Sequence, residues 1–317
     1  MDLMADIGAT NTRCALVDDK GQELAAELFH NPDFASLPLL LKSYLERRRV
    51  TDGPKRAAIA VAAPILGDEV QMLNINWHFS QAKLKAELGL HELTVCNDFA
   101  AIAWGLPYFG AADLRMVGSG QRATGAALAT LGPGSGLGVA ALVPATDGWA
   151  VVTGEGGHST LPATTQEEAD VIAQIRDRYD GHCSAERVLS GPGLVNLYVA
   201  LAELAGRGAP TPPTPADVTT LAKQGDTLAQ KALAMFFAFL GMVAGDLALT
   251  TGARGGVFIA GGIVPQLLDA LAKSEFRARF EAKGRYQSYL AAIPTHVITA
   301  TVPAFRGLRH LLGYRGV

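Results

Sequence analysis

The sequence predicts a mixed α/β fold in two domains, and three observations carry that prediction. Short apolar runs alternate with stretches of helical spacing along the 317 residues, the pattern of a mainly parallel sheet with helices on its faces. The opening pattern, an apolar run broken by a glycine-bearing turn and then resumed, returns near residue 125. The length suffices for two cores of ordinary size.

The elements follow in order. The apolar run ending at Asp6 stops over Gly8, Ala9, Thr10 and Asn11 and resumes as Cys14-Ala15-Leu16-Val17: strand, turn, strand. Phe34 to Val50 carries apolar residues at Leu37, Leu40, Leu41, Tyr44 and Leu45, which predicts a helix. Ala57 to Ala63, ended by Pro64, and Leu93 to Cys96 predict buried strands. A helix begins at Phe99 after Asn97-Asp98. The restart, Leu128 to Leu131, a turn from Gly132 to Gly138, then Val139 to Val143, overlays the opening with Gly132 on Gly8. Further on come a strand around Trp149 to Val152, a capped helix from Thr165 and Glu168 to Tyr179, and a helix from Pro192. A proline-rich loop spans Pro210 to Pro215. A long apolar helix, a strand Val257 to Ala260, a helix Val264 to Ala272, a strand from Thr295 and a helix after Pro303 complete the chain.

Composition excludes several classes of function. Net charge is −3, so no electrostatic footprint for nucleic acid or an anionic membrane is present. Residues 232–249 approach membrane-spanning length, but Asp246, Gly241, Gly245 and the lack of aromatic or basic flanks predict a buried helix. Cys14, Cys96 and Cys183 form no CxxC pair. Together with an N-terminus lacking a signal peptide, they fit reduced thiols in the cytoplasm.

Four places could carry chemistry. The turn Gly132-Pro133-Gly134-Ser135-Gly136-Leu137-Gly138 lets backbone N–H groups converge on an anion. It matches neither a Walker A loop nor a dinucleotide fingerprint. Asp6, ending an apolar strand, needs a partner: a salt bridge to Arg13, or a hydrated Mg²⁺ near phosphates. Asn97-Asp98 at a strand end could cap the next helix, or hold a sugar diol with Asp98 accepting a hydroxyl proton. Glu155 and His158 lie among Gly154, Gly156 and Gly157 and could bind a polyol or a metal, while Glu186 reads equally as a surface pair with Arg187 or as a ligand.

In combination these motifs resemble the bacterial glucokinase family, ATP-dependent hexose kinases of the actin-like ATPase and sugar-kinase superfamily, over nearly the whole chain. The similar segments are Ala5 to Arg13, Ala63-Pro64-Ile65 with Asn74 and Trp77, Cys96 to Phe99, Leu131 to Gly138, Gly154 to His158, Glu186 to Leu194, and Ala260-Gly261-Gly262-Ile263. The resemblance implies a two-domain actin-like (ribonuclease H-like) fold around a cleft. The small domain would be residues 1–111 plus the terminal helix 301–317, and the large domain 112–300. It implies phosphorylation of D-glucose at the 6-hydroxyl by ATP, with Asp98 as general base and Asn97, Glu155, His158 and Glu186 on the other ring hydroxyls. Gly8, Ala9, Thr10 and Asn11, with Gly134, Ser135 and Gly136, would hold the ATP phosphates. Gly261 and Gly262 would line the adenosine site, and Asp6 would hold Mg²⁺ through water. It also implies a cytoplasmic homodimer.

Two departures stand out. Ala9 replaces a second glycine, which predicts a backbone outside the left-handed region there. No cysteine-rich zinc signature follows His158. Kinases for mannose, fructose or an N-acetylhexosamine, a sugar-sensing regulator, and ADP or polyphosphate as donor stay open; no helix-turn-helix extension favours the regulator.

Overall fold

A computed structural model describes residues 1–50, 53–72, 75–207 and 211–314. Asn74 and Pro210 lie outside the described residues. The chain divides into two compact units: residues 1–113 with Val151–Thr153 and the segment from Ala300, and Leu114–Ala150 with Gly154–Thr299.

In the first unit the expected opening forms β1 (Asp2–Ile7) and β2 (Asn11–Val17), followed by β3 (Glu23–His30), α1 (Leu37–Arg47) and β4 (Arg56–Val61). A small hairpin, β5 (Glu69–Gln71) and β6 (His78–Ser80), precedes α2 (Gln81–Glu87), β7 (Glu92–Asn97) and α3 (Asp98–Gly105). The sheet order is β3-β2-β1-β4-β7. β1 runs antiparallel to β2 and parallel to β4, and β4 runs parallel to β7. Helix α1 buries Leu37, Leu40, Leu41 and Tyr44, one face at helical spacing. It starts three residues later than the spacing suggests, because Ser36 is its N-cap and Pro38 fits only the first turn. The helix after Pro303, Pro303–Leu311, packs on α3. Among the packed faces, a Cβ on Gly307 would fall within the Ala101 carbonyl oxygen.

The second unit opens with β8 (Leu114–Met116), β9 (Leu128–Pro133), β10 (Leu137–Ala145) and β11 (Gly148–Gly154). Helices α4 (Gln166–Asp177), α5 (Gly191–Leu204), α6 (Pro215–Lys223) and α7 (Thr227–Thr251) follow, then β12 (Val257–Ile259), α8 (Leu268–Ala272), α9 (Phe276–Glu281), α10 (Gln287–Ala291) and β13 (Thr295–Ile298). Its sheet order is β11-β10-β9-β12-β13-β8. β9 is antiparallel to β10 and parallel to β12, and β12 is parallel to β13. That repeats the arrangement of β1, β2, β4 and β7, so the internal repeat is real at the level of topology.

The register corrects the overlay by two residues. The last pair before the first turn is Ile7 with Thr12, and before the second Pro133 with Leu137, so Gly8 corresponds to Gly134. Gly132 lies inside β9 instead, where a Cβ would meet the backbone of Ala260 at 2.5 Å.

Helix α7 is apolar and long enough to cross a membrane, yet 67% of its most apolar window is buried. Phe236, Phe237, Phe239 and Leu240 are core residues. Gly241 gives the Phe276 carbonyl of α9 room to lie against α7. The apolar run is therefore the core helix of this unit.

Candidate functional site

The first unit carries two parts of the site. In the β1–β2 turn the Gly8 N–H closes on the Asn11 carbonyl at 3.0 Å. Ala9 is outside the left-handed region, as expected: among the described residues only Ala25, Arg49 and Asp180 are non-glycines at positive φ. Among the described residues, neither the Ala9 nor the Thr10 N–H has a hydrogen-bond partner. Two consecutive donors left open at a turn suit an anion. The Gly8 donor, by contrast, is committed to the turn itself.

Asp6 pairs in register with Arg13 across the hairpin and with Ala60 on β4. Burial pushes its carboxyl up to about 6, against the lowering effect of the Arg13 guanidinium. Arg13 alone therefore leaves the carboxylate under-compensated, and a hydrated cation fits the position chemically. The raised value sets a pH dependence. Protonated Asp6 favours the folded chain, so its stabilising contribution is complete below the ordinary 3.8 and is lost as pH rises through about 6. Without added metal, Asp6→Asn should match the parent near pH 4. At pH 7.5 it should be more stable by on the order of 3 kcal/mol, read from thermal melts at both pH values. Equal melting temperatures throughout would refute this account of Asp6.

The second part is the β7–α3 junction. Asn97 caps α3, its side-chain oxygen accepting from the Phe99 and Ala100 N–H groups at 2.9 and 3.2 Å. Asp98 opens the helix, and its Oδ1 also accepts from the Phe99 N–H at 2.9 Å. Cys96 shares a sheet row with Asp6 through Ala60. Burial, then the charges of Asp98 and Asp6, push its thiol up to about 12. Asp6 and Asp98 thus act on the same thiol and belong to one end of one sheet.

Burial likewise drives Cys183 up to about 11 and Cys14 beyond the usual thiol range. All three thiols are free and held as thiols at neutral pH, where they are poor nucleophiles. At pH 8, iodoacetamide should leave the folded chain unlabelled by intact mass while alkylating the unfolded chain three times. Labelling of the folded chain at the rate of free cysteine would contradict this.

The second unit gathers the remaining groups around the β9–β10 turn. The Gly134 N–H closes on the Gly136 carbonyl at 2.8 Å, and the Gly191 N–H at the start of α5 donates to the Gly134 carbonyl at 2.8 Å. Among the described residues, the Ser135 and Gly136 N–H groups have no partner, so this turn, like the first, leaves two consecutive donors open. Glu186, in the short turn Ala185–Arg187, is half-buried. Its Oε2 accepts from the Leu137 N–H at 2.9 Å. Glu186 is thus neither an exposed partner of Arg187 nor remote from the turn.

Glu155 and His158 are exposed, and the His158 N–H donates to the Glu155 carbonyl at 2.9 Å. Their segment is tied to that of Glu186: the Ala185 N–H donates to the Ser159 carbonyl at 2.9 Å and the Leu161 N–H to the Cys183 carbonyl at 3.0 Å. Gly261 follows β12 at φ +85°, and its missing Cβ leaves room for the Pro133 carbonyl. Nothing lies within 4 Å of a Cβ built on Gly262. Glu155, His158, Glu186, Gly134, Ser135, Gly136 and Gly261 therefore share one region of the second unit, while Asp6, Gly8 to Asn11, Asn97 and Asp98 stand in the first. Among the described residues, no group of three or more His, Cys, Asp or Glu is arranged to hold a metal.

The sequence reading passed over Asn31. It is fully buried, and it braces the β1–β2 turn from 20 or more residues away in sequence. Followed by Pro32, it reads along the chain only as a turn residue.

Comparison with known proteins gives this arrangement its context. The family model for glucokinase matches residues 3–314. The glucokinase of Nitrobacter hamburgensis is 47% identical over 310 residues, covering 98% of this chain and 96% of its own. The crystal structure of a glucokinase from an Antarctic psychrotroph superposes with a TM-score of 0.86 at 36% identity over 98% of both chains. That of the glucokinase from Balamuthia mandrillaris, in complex with glucose, superposes with a TM-score of 0.79 at 22% identity over 99% of this chain and 93% of its own, a likeness of fold. A match of this length and identity, in a mixed α/β fold shared with sugar kinases, makes the chain a member of the glucokinase family.

Proposed function

We propose that Asp98 is the general base in the reaction of this family, with the sugar and the nucleotide held by groups from both units. The chain phosphorylates D-glucose with ATP, giving glucose 6-phosphate and ADP. The observation that carries the assignment is the β7–α3 junction. It offers one carboxylate in the first turn of a helix, at the sheet end that also bears Asp6.

Asp98 accepts the proton of the sugar 6-hydroxyl as that oxygen bonds to the γ-phosphorus and the bond to the ADP oxygen breaks. Asn97, Glu155, His158 and Glu186 hold the remaining ring hydroxyls. An epimer would misplace one hydroxyl and leave a polar group unpaired, a loss of roughly 1–3 kcal/mol. The open N–H pairs, Ala9 with Thr10 and Ser135 with Gly136, bind phosphate oxygens. Gly8, Asn11 and Gly134 shape the turns, and Gly261 and Gly262 line the adenosine. Magnesium, near Asp6 through water, supplies charge neutralisation on the phosphates when bound. The small domain of this reading is residues 1–111 with 301–317, and the large domain 112–300. The free cysteines support a cytoplasmic setting, and the reading includes a homodimer, checked by sedimentation against the 33.2 kDa chain mass.

The test is a hexose panel with Mg·ATP on the parent chain and on Glu155→Gln, His158→Gln and Glu186→Gln. D-Glucose should be the best acceptor. Each variant should raise KM for glucose roughly tenfold while leaving KM for ATP less affected. Variants indistinguishable from the parent would remove these residues from the sugar site.

A further inference from the structure

We infer that Asn31 is a positioning residue of the reaction: it sets the direction of the Ala9 N–H and so the capacity of the β1–β2 turn to hold phosphate. The inference rests on the reading of that turn as a phosphate site.

Asn31 follows β3 and is 0% exposed. Its side-chain amide and its main-chain N–H are engaged by the turn and its flank, while its carbonyl accepts from the Phe34 N–H. The Nδ2–H donates to the Gly8 carbonyl at 2.9 Å, and the main-chain N–H donates to the Thr10 carbonyl at 2.9 Å. Its Oδ1 accepts from the Thr12 hydroxyl, itself fully buried, at 2.7 Å. The Gly8 carbonyl can only accept, so the amide end facing it is the NH₂, and the Oδ1 is left for the Thr12 hydroxyl.

The consequence follows from the planar trans peptide. In the Gly8–Ala9 unit the carbonyl and the N–H point in opposite directions. With the Gly8 carbonyl held against Asn31, the Ala9 N–H must point away from Asn31, and it has no partner among the described residues. Gly8 is the residue on one side of that peptide, so little steric resistance opposes a flip. A flipped peptide would present a carbonyl oxygen where the anion binds. The donor direction depends on a side chain that does not touch the anion, and the Asn31 amide is the latch that holds it.

Asn31→Asp is the informative variant. It keeps the acceptor for Thr12 and the main-chain bond to Thr10, and once ionised it replaces the donor to Gly8 by a carboxylate oxygen that repels the carbonyl, so the titrations are run at about pH 8.5 to ionise a buried carboxyl. Isothermal titration with Mg·ADP and, separately, with glucose reads the two subsites without turnover. Ala9→Pro, which deletes the donor itself, tests the underlying phosphate reading. Both variants should weaken Mg·ADP binding roughly tenfold or more and leave glucose affinity unchanged. If Ala9→Pro weakens Mg·ADP and Asn31→Asp does not, the inference fails while the phosphate reading stands. If neither does, both fail. If Asn31→Asp weakens Mg·ADP and glucose alike, with a lowered melting temperature, Asn31 is merely structural and the inference is overturned. Asn31→Ala extends the series where it folds, with the same expected split.

Discussion

Asp98→Asn should lower kcat by roughly 10²–10⁴-fold while the chain stays folded and binds glucose. The fold is expected to survive because the variant keeps an oxygen to accept from the Phe99 N–H at 2.9 Å, and because the cap of α3 belongs to Asn97. What it loses is the ability to take a proton. The size of the effect reflects the chemistry. Phosphoryl transfer asks mainly for positioning and charge neutralisation, which the turns supply, so removing the base leaves a slow reaction. Steady-state kinetics together with glucose titration separate the two steps. A variant as fast as the parent would show that Asp98 serves only the helix start.

The largest effect on stability should come from Gly307→Ala. The terminal helix Pro303–Leu311 lies on α3 so closely that a Cβ at residue 307 would fall within the Ala101 carbonyl oxygen, and it would stand 3.0 Å from the Gly105 nitrogen. Both neighbours are main chain, so nothing flexible can move aside. His310, one turn further along the same helix, adds to the contact. Its ring stacks on Trp104 at 5.3 Å between centroids, and its Nδ1 is 2.9 Å from the Tyr108 hydroxyl. The added methyl must push the helices apart, at a cost of about 3 kcal/mol, and lower the melting temperature by roughly 10 °C. Because α3 begins with Asp98, kcat should fall with it. Gly67→Ala is the control, since nothing lies within 4 Å of a Cβ there. Equal melting temperatures for the two variants would contradict the packing described.

Much of this was legible along the chain, and what was not has identifiable causes. Helix α1 announced itself because its buried face is continuous at i, i+3, i+4 and i+7. Thr165 and Glu168 form the expected capping box. Strand β3 gave no signal, because an edge strand with mostly exposed residues needs no apolar alternation. Helix α6 was hidden in a proline-rich run read as a loop. Pro215 stands at its first turn and Thr214 with Asp217 makes a second capping box, so the end of the proline-rich stretch is itself a helix start. The helix expected from Val264 begins as a tighter turn, Val264–Leu267, around Pro265 and becomes α-helical only at Leu268.

The glycine turns were visible in sequence, but which donors they leave open was not. That depends on hydrogen bonds across each turn, where Gly8 and Gly134 spend their own N–H groups. Asn31 was the least legible, and for Glu186 the candidate role was visible but not its bond to the second turn. Each acts on a turn far away in sequence: the pairing of β2 with β3 brings Asn31 to the first, and the turn Ala185–Arg187 carries Glu186 to the second.

The most direct measurement is product analysis with the purified chain, Mg·ATP and D-glucose. ADP and glucose 6-phosphate should form in equal amounts, with no ADP formed when the sugar is omitted. Absence of sugar phosphate, ADP formed regardless of glucose, or phosphate on another hydroxyl would contradict the account.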